Sequence, residues 1–567
     1  MEGEQEMQKV NCKKYILKIS LIFILIISAG LCIYTVRNYK SNNSIIQNNQ
    51  FKREGNAFNN DVNNMPNYQN SHQNISSSNE NVQIREIADI NPQDGNIQSV
   101  GNEDIAKPSD NKKLDQMGGS SKQNANRQSG QNGNIQRGNT NIKYIPELTT
   151  YSTIFLIICI GSYYLCRRKN IKIDLTDERI LIFTLLAVGF FLRIASSTLM
   201  EGHNDINLFK NWASTAANGI AQFYSNARSA DYPPLYIYVL ALIGKIASMP
   251  TFSGYFILLL KIPAIIADIV TAYFIYKLGK KYLSSIISIL IAAFYIFNPA
   301  IFIDSTFWGQ VDSIFTLFIV FAVFLLSEKK IAFATTMFVV AVLMKPQGII
   351  FLPILFFELI RERSLKVFIN ATISGIVTAL VIIIPFSLNE QSPLWIFKLY
   401  LKTISEYPYA SVNGFNFFSL IGANFKNNTD TLFIFNYHTW GMIFIVATTL
   451  ISWVIYIKGN NRKFVSAIAL LQIAGVFTFS VGMHERYLFP AVALSILAFI
   501  YLKDKRLFIL AIGFSVTSYI NIFSVLFSLN STTFNILLMI TSFLNIVLVI
   551  YLVKVLFENT IKKSFQS

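Results

Sequence analysis

The sequence predicts an all-α polytopic membrane protein: a bundle of about thirteen spans, preceded by a single N-terminal anchor helix and a disordered tail. Three observations predict it. Of 567 residues, 52% are hydrophobic and only 14% charged, far less charge than a soluble surface of this size would carry. Many apolar runs approach the ~20 residues that cross a bilayer. Between the first run and the rest lies a stretch of opposite character, rich in Asn, Gln, Ser and Gly.

In chain order, residues 1–18 read as a cytoplasmic N-terminus and 19–36, "ISLIFILIISAGLCIYTV", as a transmembrane anchor. The basic flank would suit a signal peptide, but no A-x-A-like cleavage site follows, so an uncleaved anchor is expected. Residues 37–147 show few aromatics and no apolar periodicity. Such a segment cannot repay its ordering entropy by burial, so it reads as a disordered extracytoplasmic tether. The core occupies 148–560, with spans expected near 148–166, 178–199, 254–277, 283–303, 312–327, 331–344, 348–360, 366–387, 437–457, 464–481, 486–502, 507–528 and 533–557. Helices this apolar on every side belong in lipid or in a bundle interior.

The net charge of +16 does not point to nucleic acid, because the cations form short clusters between apolar runs. Examples are "KLGKK", "SEKK", "RERSLK", "KGNNRK" and "KDKR". Clusters of this kind orient membrane helices with the basic loops inside. Placing all of them inside puts both termini in the cytoplasm, provided that 235–250 lies along or dips into the outer face without crossing. The four cysteines show neither metal spacing nor a disulfide framework.

That topology collects the polar interruptions on the outer face. They are "EGHNDINLFKNWA" with "DYPP", "WGQVDS", "MKPQGI", the 388–436 loop containing "VNGFNFF", and "SVGMHERYLFP". Charged groups at helix ends in a bilayer are costly and mark pathways or sites. Each also has a plainer reading. Asn204, Asp205, Asp231 and Asp312 would all serve as N-caps. Trp308 suits an interface, Lys345 would simply snorkel, Glu485 and Arg486 would form a salt bridge, and "VNGFNFF" reads as a Gly-Asn turn with packed aromatics. There is no P-loop, dinucleotide fingerprint or Cys/His cluster. A lone carboxylate among cations and amides suits transfer from a phosphate-activated donor. Phosphate leaves readily and needs positive charge, while the acceptor hydroxyl needs a base.

In order and placement, these motifs resemble those of the GT-C superfamily of integral-membrane glycosyltransferases, over roughly 170–557. The arrangement is most similar to bacterial relatives of the second mannosyltransferase of GPI-anchor assembly, and to the dolichyl-phosphate-glucose glucosyltransferases. In those families an acid in the first large luminal loop precedes a "DYPPL" segment, as Asp205 precedes Asp231 to Leu235. A "K-Q" turn and a late "H-E-K/R" turn follow, matched by "MKPQG" and "MHERY". The resemblance implies Asp205 as catalytic base. It implies Lys345, His484 and Arg486, with Gln310 and Gln347, as holders of donor phosphate or sugar. Asp231, Tyr232, Trp308, Asp312 and Glu485 would support them. It further implies an inverting transfer of a hexose, mannose favoured, at the outer face of the cell membrane. The donor would be a polyprenyl-phosphate sugar and the acceptor a glycolipid, wall polymer or protein. No cofactor is expected; "NDI" offers one acid where some relatives have two, which weakens a metal-dependent reading without closing it. A glycolipid transporter is the rival reading.

Overall fold

The computed structural model describes residues 15, 18–39, 142–168, 175–227, 229–389 and 392–564. Most of the expected tail, and of the cytoplasmic N-terminus, lies outside the described residues. Among the described residues the core is built of helices and their connecting loops, with one two-stranded antiparallel ribbon, Thr431–Leu432 with Phe435–Asn436. The all-α polytopic class is therefore observed. Among the described residues, nine helices are long and apolar enough to cross a membrane.

The first of these is α1 (Lys18–Tyr39). It is followed by α2 (Ile145–Arg168) and α3 (Leu175–Ser197). Then come α4 (Asp205–Asn218), α5 (Pro234–Ala247), α6 (Phe256–Tyr282) and α7 (Ser285–Ile296). After a break, α8 (Asp312–Ser327), α9 (Ile331–Met344), α10 (Leu352–Glu362) and α11 (Leu365–Ser387) continue the core. The rest are α12 (Trp395–Ser405), α13 (Tyr437–Gly459), α14 (Val465–Phe479), α15 (Pro490–Leu502), α16 (Lys505–Leu526) and α17 (Ser531–Ser564).

Eight of the thirteen expected core spans correspond to long helices; the others are built from shorter or bent pieces. Residues 283–303 become α7 and a second segment, Pro299–Trp308, bent by 42°. Asn298 makes the break: its Oδ1 accepts from Ala300 N at 3.0 Å and from the Ser515 hydroxyl at 2.7 Å. The expected 348–360 span starts as a 3₁₀ turn, Pro346–Phe351, before α10. Two prolines close together hinder a continuous α-helix there. The 235–250 segment forms α5, too short for a full crossing at ~1.5 Å per residue.

α14 and α15 are buried along nearly their whole length and form the centre of the bundle. By contrast, α1 and α11 keep most of their apolar side chains exposed, as lipid-facing helices should. α4, which carries the first polar motif, packs on α5. Ile206, Phe209, Trp212, Ala213 and Ala216 make its buried stripe. Phe209 meets Tyr232 and Tyr236 edge-on at 5.6 and 5.2 Å. Gly244 lets the two helices approach so closely that a methyl group there would overlap the Ala213 carbonyl oxygen. Gly244→Ala is expected to cost about 1–3 kcal/mol by overpacking, read as a lower melting temperature in detergent; an unchanged melting temperature would show that α4 shifts freely.

Candidate active site

The polar motifs converge at one end of the bundle. Asp205 is the first residue of α4, not its cap: the cap position is Asn204, whose side chain makes no capping bond. The carboxylate is thus free to look outward, and the helix N-terminus favours its ionised form. Its Oδ2 accepts hydrogen bonds from Trp308 Nε1 at 3.3 Å and from the Gln310 amide. Arg486 Nη2 lies 3.7 Å from the same oxygen, and His203 Nδ1 3.6 Å from Oδ1.

Trp308 and Gln310 reach Asp205 because the chain makes a π-helical turn, Ile303–Trp308, ending on Gly309. Gly309 sits at φ 83°, where a side chain would be strained, and a Cβ would lie 2.9 Å from Ile206 Cδ1. The Asp304 carbonyl accepts from both Gly309 N and Gln310 N, at 2.9 and 3.2 Å. His203 N donates to the Trp308 carbonyl at 3.2 Å, and its ring stacks on the indole at 4.4 Å. Two distant loops are therefore locked together around one carboxylate.

Beside this lies an ionic cluster. Asp312 is the first residue of α8 and again not a cap, that place being taken by Val311. Its Oδ1 accepts from Lys345 Nζ at 2.7 Å, and Arg486 Nε lies 3.6 Å from its Oδ2. Lys345 is 3% exposed, so it does not snorkel; it points inward, over the rings of Tyr232 and Tyr487. Arg486 bonds Glu485 and stacks over Trp308 at 4.5 Å. The expected Glu485–Arg486 salt bridge is present, but the arginine also reaches Asp205 and Asp312. Tyr232 completes the ring, its hydroxyl donating to Gln310 Oε1 at 3.4 Å.

Burial pushes the Asp205 carboxyl upward, but the nearby His203 imidazole and the Arg486 charge outweigh it and hold it well below the usual range. His484 moves the other way. Burial, helped by Arg486 and Lys345, pushes its imidazole down to about 3, so it enters the site neutral and brings hydrogen bonding, not charge. Its ring stands edge-on to Tyr407 at 4.6 Å and beside Tyr487 at 5.0 Å. Gln347 faces the Tyr487 hydroxyl on the same side.

Asp231 departs from its expected capping role. The cap position of α5 is Pro233, and Asp231 Oδ1 is buried with no hydrogen-bond partner. Burial and the Glu406 and Asp205 carboxylates push it up to about 7. Its folded-state value therefore lies above the unfolded one, and the folded state binds more protons between about pH 4 and 7. Stability should be full below that window and fall as pH rises through it. Asp231→Asn is expected to flatten this slope in pH-resolved thermal melting; an identical slope would mean that other groups carry it.

"VNGFNFF" is structural, as its plainer reading held. The Asn416 side chain accepts from Ser419 N at 3.1 Å, while Asn521 and Asn545 pin the Phe415 backbone at 2.8 Å each. Sequence reasoning passed over His203, Tyr407 and Tyr487. It also missed the buried Arg193–Asp268 pair, 3.2 Å apart beneath the site, although a lone arginine in one apolar run and a lone aspartate in another were its signal. Among the described residues, no group of three or more His, Cys, Asp or Glu side chains is placed to hold a metal ion.

Comparison of the whole chain with curated proteins gives no match. Residues 231–388 match the family model of dolichyl-phosphate-mannose-protein mannosyltransferase. The matched segment holds Asp231, Tyr232, Trp308, Gln310, Asp312, Lys345 and Gln347, and leaves Asp205 and the "HER" turn outside it. With the many apolar helices around it, this match supports a multi-pass membrane glycosyltransferase of the mannosyltransferase type, in the GT-C superfamily.

Proposed function

We propose that the protein is an inverting glycosyltransferase that moves a hexose, mannose favoured, from a polyprenyl-phosphate donor to an acceptor hydroxyl at the extracytoplasmic face. The acceptor is a glycolipid, wall polymer or protein, and both termini are cytoplasmic. One observation carries the reading. The Asp205 side chain is 34% exposed, while Asp312, Lys345, Glu485 and Arg486 around it are buried. Asp205 is the acid of this cluster that an incoming hydroxyl can best reach.

In this reading the acceptor oxygen attacks the anomeric carbon as its proton passes to Asp205. The bond from that carbon to the phosphate oxygen breaks, and polyprenyl phosphate departs with the electron pair. A single displacement inverts the anomeric centre. Arg486 and Lys345 meet the phosphate, with Gln310, Gln347 and neutral His484 as hydrogen-bonding partners. In the ligand-free arrangement both cations are engaged by carboxylates. Arg486 would turn from Asp205 to the donor, and losing that charge raises the basicity of Asp205 when the acceptor is in place.

A second reading has its own observation. Asp231, with an unpartnered oxygen and a value of about 7, is tuned as a base would be. The experiment on the overall function is incubation of the purified protein with a panel of polyprenyl-phosphate hexoses, with and without acceptor. Consumption of the mannosyl donor and release of polyprenyl phosphate are expected. If every donor stays intact while whole glycolipids bind, the protein is a transporter.

A further inference from the structure

A cavity of about 400 Å³ lies at the opposite end of the helices that build the candidate site. α8 begins at Asp312 in the site and ends at Ser327 in this cavity. α14 starts beside its Arg462 and Lys463 and ends before the "HER" turn, and α15 runs back to Tyr501 on its wall. A 16-residue helix is ~24 Å long, so the two places are separated by most of a hydrocarbon layer.

Lys281, Arg361, Arg462 and Lys463 line this cavity, against Glu328 as the only lining carboxylate among the described residues. Charges that merely orient helices need only sit near the surface. These are held in place. Arg462 is bonded by Glu358 and Glu362 of α10, and Glu358 is fully buried. Arg361 donates to the Tyr456 hydroxyl and the Asn460 carbonyl, both at 3.3 Å. Lys281 pairs with Glu328 at 2.7 Å, and Lys329 with Glu362 at 3.5 Å. With these supporting groups counted, Lys281, Lys329, Arg361, Arg462 and Lys463 exceed Glu328, Glu358 and Glu362 by two charges.

Two further features favour an anion. The Tyr501 hydroxyl lines the cavity beside the Ser327 hydroxyl, with its residue 4% exposed. The neighbouring Ser327 hydroxyl already donates to the Val323 carbonyl at 2.8 Å. The cavity wall at Asn461–Lys463 also leads into α14, whose N-terminal N–H groups carry partial positive charge. A pair of cavity hydroxyls, a pinned arginine pair and a helix N-terminus share one complement.

We propose that this cavity binds a phosphate group, carried by an anionic membrane lipid or free in solution. The site is independent of the transfer reaction, and its test reads binding only. Full-length protein would be placed in phosphatidylcholine nanodiscs with and without phosphatidylglycerol, and the retained lipid counted by native mass spectrometry. Heat stability would be followed in parallel as inorganic phosphate is added. Preferential retention of phosphatidylglycerol, reduced several-fold in Lys281→Ala/Lys463→Ala, assigns a lipid phosphate. Stabilisation by inorganic phosphate that the same variant loses, without lipid preference, assigns free phosphate. Equal retention of both lipids with no phosphate effect, or binding unchanged in the variant, overturns the proposal. Both lysines are partly exposed and outside the active site, so the variant should fold and its melting temperature serves as control.

Discussion

Asp205→Asn is expected to lower transfer from a mannosyl polyprenyl-phosphate donor by roughly 10²–10⁴-fold, the usual contribution of a positioned base. The loss should appear in kcat with KM little changed, because asparagine keeps the size of the side chain and the donor-binding groups. Trp308, Gln310 and His203 still surround the position, and α4 keeps its buried stripe, so the protein should be made in normal amount. Asp231→Asn is the informative partner, since it removes the competing carboxylate. If Asp205→Asn keeps full activity while Asp231→Asn abolishes it, the base is Asp231 and Asp205 only orients the Trp308 and Arg486 side chains.

Lys345→Met is expected to have the largest effect on the fold. Asp312 is 1% exposed, and its shortest ionic contact is the 2.7 Å bond from Lys345. Without that lysine, Arg486 remains at 3.6 Å and must balance Asp312, Asp205 and Glu485 together. Removing one partner of a buried pair costs roughly 3–5 kcal/mol, because a charge is left behind. The measurement is thermal melting in detergent, with Lys345→Met/Asp312→Asn alongside. The double variant should recover much of the melting temperature, since the stranded charge is gone, yet stay inactive if Lys345 meets the donor phosphate as proposed. A single variant that melts with the wild type would show that water already reaches the pair.

The sequence made the helices easy to place, because a run long enough to cross a bilayer is read from hydropathy alone. It also brought Asp205, Gln310, Lys345 and Arg486 to one end, because the basic clusters fix which turns share a face. It could not distinguish a cap from a first helical residue at Asp312 or Asp205. One residue of register decides between a carboxylate folded onto its own helix and one pointing at a neighbour. The π-helical turn before Gly309 was equally hidden, since a widened turn leaves no mark on an apolar pattern. α12 and the short ribbon lie in what reads as one long loop, where polar and aromatic residues mix without a period. The neutral state of His484 depends on its burial and on the nearby Arg486 and Lys345 charges, and so on tertiary contacts.

The contact between Arg486 and Asp205 joins points about 280 residues apart in the chain. At a synthesis rate of about 5–20 residues per second, on the order of tens of seconds separate their emergence. During that interval Asp205 lacks its arginine, and Asp312, once made, has only Lys345. The matched segment 231–388 is complete well before this, yet by itself it holds neither the proposed base nor the second cation. If the proposed roles of Asp205 and Arg486 hold, a half-made chain is therefore unable to spend an activated sugar on water. In the proposed mechanism the site is complete only once the turn carrying Arg486 has joined Asp205.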